Sequence, residues 1–153
     1  MSKKLVSIAV AAVLLASMAA SLCSCEMTYD YVATVKSYAP FQEAEYGFTK
    51  AADCGTVIGK YVDSPNWESR ADSGTQYVDL KGKLKGSGEE LFLIFRLTPV
   101  EGEKGIFLIE THSLEIDGEA NSADEAAVFL YYMYSAYEGG FGSVDDFFDS
   151  LGY

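Results

Sequence analysis

Histidine occurs once in these 153 residues, tryptophan once, and proline and cysteine three times each. A lone His112 cannot contribute to a multi-histidine metal set, and His112 with Cys54 lacks the spaced ligands that zinc requires. No nucleophile-elbow motif offers His112 a serine to activate. No glycine-rich phosphate loop opens a helix, because Gly139-Gly140-Phe141-Gly142 follows one. Basic residues are also scarce, 11 against 23 acids, for a net charge of −12. Such a surface repels phosphate backbones, which excludes nucleic acid as a partner, and it is repelled by anionic lipid headgroups. Internal repeats and low-complexity segments are absent. The mostly apolar run Leu5 to Ala19 and the dozen apolar residues of the last helix are short for a bilayer span, which takes about 20 apolar residues.

What the sequence has in quantity is apolar and aromatic side chains. Hydrophobic residues make up 49% and aromatics 14%, with eleven Tyr and nine Phe. That is enough for one packed domain at this length, and it excludes wholesale disorder.

The N-terminus reads as an export signal. Met1 to Lys4 is a short positive stretch, and Leu5 to Ala19 is an uncharged run of signal-peptide length. Leu22-Cys23-Ser24-Cys25 follows and resembles a bacterial lipobox, with Leu22 and Ser24 in their expected places and Cys23 as a tolerable departure. The resemblance implies removal of residues 1–24 and acylation of Cys25, with a diacylglyceryl group on sulfur and further palmitate-type chains. Thiolate nucleophilicity is what that chemistry uses. Several chains matter, since one alone holds a protein at a binding constant of only about 10⁴ per molar. Processing would remove Lys3 and Lys4 and no acid, leaving nine basic and 23 acidic residues and a net charge of −14. Cleavage near Ala19 would instead release a soluble protein, and a retained leader would act as a signal anchor. With Cys25 acylated, Cys54 has no disulfide partner and reads as a small buried residue.

The mature chain reads as an α+β fold: a three- to four-stranded antiparallel meander packed against a short N-terminal helix and a longer C-terminal one. Residues 25–53 form a tether with an edge strand at Tyr31–Val35. Thr56 is a plausible N-cap for a helix from Val57 to Asp63, ended by Pro65, and Trp67 plugs the core. Strands are predicted over Gln76–Leu84, Glu90–Thr98 and Ile106–Asp117. The second is apolar on both faces and reads as central and covered on both sides. In the third, the apolar parity of Phe107 and Ile109 switches by Leu114 and Ile116, which predicts a bulge near Thr111–Ser113. Ser122 to Glu125 reads as a capping box opening a helix that ends near Tyr137. The domain is thus placed at 54–138, with a partly apolar acidic tail at 139–153.

Thr56-Val57-Ile58-Gly59-Lys60-Tyr61, Ser64-Pro65-Asn66-Trp67-Glu68, Tyr77-Val78-Asp79-Leu80-Lys81-Gly82 and Leu114-Glu115-Ile116-Asp117-Gly118 together resemble a small uncharacterised domain of bacterial envelope proteins. The resemblance covers roughly half the chain. It implies an α-β-β-β-α order and an extracytoplasmic setting, and carries no catalytic residues.

Asp117, Glu119, Asn121, Asp124 and Glu125 crowd one loop with oxygen ligands suited to Ca²⁺. They fail the EF-hand order, because Ser122 stands at the glycine position and Val128 where the bidentate acid belongs. Turn and helix cap account for them. No catalytic residue, metal or cofactor is expected. The functional expectation is a non-enzymatic binding or interaction module, held in the cell envelope by its lipid and meeting an envelope protein or extracellular ligand. Tyr131 and Tyr134 on the last helix, with Phe147 and Phe148 in the tail, are the candidate interaction residues. An inhibitor-like or structural envelope protein is the alternative, followed by a hydrolase.

Overall fold

The computed structural model describes residues 28–41, 48 and 52–139. Leu22, Cys23, Ser24 and Cys25, with Phe147 and Phe148, lie outside the described residues. Eight elements follow in order: α1 (Tyr31–Lys36), α2 (Cys54–Tyr61), β1 (Val62–Asp72), β2 (Thr75–Leu84), β3 (Glu90–Pro99), β4 (Phe107–Ile116), β5 (Glu119–Asn121) and α3 (Ala123–Glu138). The strands form one antiparallel sheet in chain order, β1-β2-β3-β4-β5.

The α+β class and the antiparallel meander agree with the sequence reading, but the sheet is larger than the expected three to four strands. The added members are β1 and the three-residue β5. The predicted helix over Val57–Asp63 starts earlier, because Asp53 rather than Thr56 is the cap. The Asp53 carboxylate accepts from Thr56 N at 2.7 Å. The helix stops at Tyr61, where Val62 turns extended, so Pro65 is not its terminator. Tyr31–Val35 is helical rather than a strand. Asp30 caps it, accepting from Ala33 N at 2.9 Å, and this local bond outweighs the β-preference of Tyr, Val and Thr.

Pro65 sits in an irregularity of β1. Asp63 pairs with Lys83 and Asn66 with Lys81, so Ser64 and Pro65 together face Gly82. A bulge is where a strand tolerates proline, which has no N–H to give to a ladder. Ser64 takes a φ of 49° there. The bulge presses the chain onto Gly82, where an added Cβ would fall on Val62 Cγ1 and lie 3.1 Å from Asp63 O. Two-residue turns close the β1–β2 and β4–β5 hairpins. In each, both residues have positive φ, Ser73-Gly74 and Asp117-Gly118, as the right-handed twist of paired strands demands.

The expected bulge in β4 is present. Ile94 pairs with Ser113 and Phe95 with Thr111, which leaves His112 as the extra residue and flips the parity of the strand. Before it Ile109 points to the core, and after it Leu114 and Ile116 do.

One sheet face carries the core. Val78, Leu80, Leu93, Phe95 and Leu97 from the sheet meet Val57 and Ile58 of α2, and Ala126, Phe129, Leu130 and Met133 of α3. The segment read as a tether contributes Val35 and Ala52. Trp67 is half-buried on this face and stacks on Phe95 at 6.2 Å. The other face of β3 is not covered by a helix among the described residues, contrary to the expectation from its apolar run. Ile94 is buried there among strand neighbours, and Phe92 lies under Lys81 Nζ at 4.8 Å.

The capping box forms as read. Ser122 N donates to Glu125 Oε2 at 2.7 Å, Ser122 Oγ donates to the same oxygen at 2.8 Å, and Glu125 N donates back to Ser122 Oγ. Gly139 ends the helix in the left-handed conformation. These bonds hold the Glu125 carboxyl below its ordinary value of 4.5, the backbone N–H of Ser122 contributing most. A lowered folded value means stability that is complete above 4.5 and is lost as pH falls through the folded value. Urea midpoints measured between pH 6 and pH 2.5 should therefore fall more steeply for the wild type than for Glu125→Gln, which keeps an acceptor but does not titrate. Equal slopes would show that the box adds nothing to the acid response.

Candidate functional site

Of the sequence-derived interaction residues, Tyr131 and Tyr134 are described, and both pack against Phe41 and Phe48. Tyr134 is 3% exposed and belongs to the core, so its ring is not available on a surface as expected. It lies 5.1 Å from Phe41 and 6.4 Å from Phe48, and its hydroxyl reaches Tyr38 O at 3.5 Å. Burial, then the neighbouring Cys54, pushes that hydroxyl far above the usual tyrosine range. Tyr131 is half-buried against the same two phenylalanines, at 5.5 and 5.4 Å. The tyrosines thus hold Phe41 and Phe48 against α3. Helix periodicity could not reveal this, because the partners lie more than eighty residues upstream.

Cys54 is fully buried, and burial with Asp53 beside it drives the thiol far above its usual range. The folded protein therefore holds it as an unreactive thiol. Asp117 and Glu125 of the 117–125 loop serve local structure. Asp117 Oδ1 accepts from Glu90 N at 2.7 Å, Asn121 Nδ2 donates to Glu119 O, and Glu125 closes the helix cap. No group of three or more potential metal ligands occurs among the described residues.

His112 and Trp67 stand on opposite faces of the sheet. The bulge turns His112 outward, 5.2 Å from the Tyr77 ring, while Arg70 lies over Tyr77 at 4.5 Å and pairs with Asp79 at 2.8 Å. Arg96 pairs with Glu110 across β3 and β4 at 2.7 Å. These pairs, partly open to solvent, order the uncovered face.

Two of the cavities lined by described residues border this sheet. One, of about 770 Å³, is an open trough beside Gly82, with Lys81, Lys83, Phe92, Glu90 and Glu115 around it. Lys83 there faces Glu90 at 4.0 Å, and Lys81 lies on Phe92. The other, of about 490 Å³, is a cleft where β4 runs beside α3. Phe41, Ile109 and Leu130 supply its apolar wall, and Glu110, His112 and Asp124 its polar one.

The cleft follows the edge of β4 beside the start of α3, where Thr111 Oγ1 donates to Ala123 O. Among the described residues β5 pairs with β4 only at Leu114, Glu115 and Ile116. From Phe107 to Ser113, β4 has β3 on one side and, among the described residues, no strand on the other. Four large apolar residues are exposed among the described residues: Val100, Ile106 and Leu108 around the β3–β4 hairpin, and Val128 on α3. Sequence reasoning missed Ile106 and Leu108. The available signal was their parity, since both are apolar at positions alternating with the core-facing Phe107 and Ile109.

No family model, curated protein or solved structure matches this chain significantly. No helix among the described residues is long and apolar enough to cross a membrane.

Proposed function

We propose that the chain is a bacterial lipoprotein, acylated at Cys25 and held outside the cytoplasm, whose α+β domain is a non-enzymatic binding module. The cleft between β4 and α3 supports the binding reading best. It joins an apolar wall to a few polar groups beside exposed hydrophobic side chains, the usual make-up of a recognition surface. Binding is favoured over catalysis because Glu110, the acid on β4 nearest His112, is engaged by Arg96 rather than set to orient an imidazole.

The lipid accounts for attachment of a body that headgroups repel. Each buried methylene contributes about 0.8 kcal/mol, so two or three chains outweigh the repulsion of an anionic surface. The test is Cys25→Ser, expressed in a bacterial host with lipoprotein-processing enzymes. The wild type should sediment with membranes and show the mass of an acylated chain starting at Cys25. The variant should lose that attachment. An unmodified wild-type thiol, or a wild type retaining residues 1–24, would overturn the proposal.

A further inference from the structure

We propose that the β3–β4 hairpin is the surface by which the domain rests on its membrane, with Val100, Ile106 and Leu108 seated at the headgroup level of the bilayer. This rests on the acylated Cys25 of the lipoprotein reading. It leaves the cleft farther along β4 to the module's ligand.

The hairpin projects from the sheet. The β2–β3 ladder ends at Gln76 and Leu97, while β3 and β4 stay paired out to Pro99 and Phe107. Val100 N then donates to Ile106 O at 3.0 Å, so these two stand opposite each other one step nearer the tip. Leu108 follows Ile106 by two residues and falls on the same side of the strand. Val100, Ile106 and Leu108 are 39%, 50% and 54% exposed, and they are three of the four large apolar residues exposed among the described residues. The other side of the hairpin is aromatic. Phe107 meets the Tyr29 and Tyr31 rings, each at 5.5 Å, and Tyr29 Cε1 lies 3.0 Å from where a Cβ on Gly105 would stand. Aliphatic side chains beside tyrosines suit a membrane–water boundary, where tyrosine is enriched.

The length of the tether names the occupant. Tyr29 is four residues from Cys25, so an extended chain holds it within about 14 Å of the lipid-bearing residue. The polar layer on each side of the hydrocarbon core is itself about 5–7 Å thick. Acyl chains in the bilayer therefore keep the Tyr29 end of the domain against the headgroups, and Tyr29 is packed on this hairpin. A short tether supplies an effective concentration of about millimolar, so a patch of three aliphatic side chains suffices to dock. Charge sets the depth. Glu101, Glu103 and Lys104 form the tip, and their hydration keeps it among headgroups rather than in hydrocarbon. The two acids favour zwitterionic over anionic lipid. The β2–β3 turn, at the opposite end of the meander, faces away from the bilayer.

The test uses the acylated full-length chain in phosphatidylcholine vesicles. A nitroxide is attached through Lys104→Cys at the tip or Ser87→Cys in the β2–β3 turn, while buried Cys54 stays unlabelled. Mass spectrometry first establishes the acylation of Cys25. Collisions with a water-soluble nickel complex should be severalfold rarer at position 104 than at 87, and collisions with membrane-concentrated oxygen more frequent. Changing Val100, Ile106 and Leu108 together to Ser should remove the difference while the protein still floats with the vesicles. These side chains are exposed, so the circular dichroism spectrum should be unchanged. Equal collision rates at 104 and 87, protection at 104 that survives the triple change, or protection that grows with the protein-to-lipid ratio (a second copy on the patch) would overturn the inference and leave the anchor standing. An unacylated Cys25 would overturn the anchor, and the inference with it.

Discussion

Phe95→Ala should cost about 3–5 kcal/mol, the range for removing a large aromatic from a closed core. Phe95 has no exposed surface, sits at the centre of β3, and stacks on Trp67 at 6.2 Å. The neighbours cannot collapse into the gap. Val78 is held opposite Phe95 by the β2 ladder, and Trp67 is fixed in β1. Domains of this size are typically stable by about 5–15 kcal/mol, so the variant would lose a large share. Urea titration should show a much lower midpoint at an unchanged slope. Phe92, three positions away on the uncovered face, is the control. It is half-buried and covered chiefly by the Lys81 ammonium, so Phe92→Ala should cost about 1 kcal/mol. Similar losses for both would mean that the second face is packed as tightly as the first.

Gly82→Ala and Gly59→Ala should move stability in opposite directions. At Gly82 the new methyl group meets Val62, which is 1% exposed and stiff at χ1, with Asp63 O and Pro65 Cα at 3.1 and 3.5 Å. Nothing there can rotate away, and overpacking of this kind costs about 1–3 kcal/mol. Gly59 lies in α2 with nothing within 4 Å of its built Cβ. Alanine there restricts the unfolded chain and suits the helix, a gain of about 0.4–1 kcal/mol. Thermal midpoints of the two variants decide the matter. A neutral Gly82→Ala would show that the β1 bulge relaxes freely.

Legibility in the sequence tracked how many physical signals each element carried. β2, β3 and α3 were readable because alternation, turn residues and a capping box agreed along them. The bulge at His112 was readable because a parity switch has few other causes. β1 was not, since Val62 and Trp67 are its only large apolar residues, and Pro65 there mimics a terminator. β5 hid in an acidic loop because three residues carry no period. α1 was misread because Tyr31, Val32, Thr34 and Val35 favour strands while one aspartate cap decided otherwise. The cleft was the least legible part. Whether β4 lacks a neighbour depends on the order of strands in space, which no local pattern encodes.

A strand order that matches chain order also divides the molecule by sequence separation. Each hairpin closes a loop of at most seven residues, at small entropic cost. The distant fastening is made elsewhere. Tyr38 O accepts from Cys54 N at 2.7 Å and from the Tyr134 hydroxyl 96 positions away. That one carbonyl joins the beginning of the described chain to its end and, with Phe41 and Phe48 on α3, lays the long-range contacts over a sheet built from near neighbours.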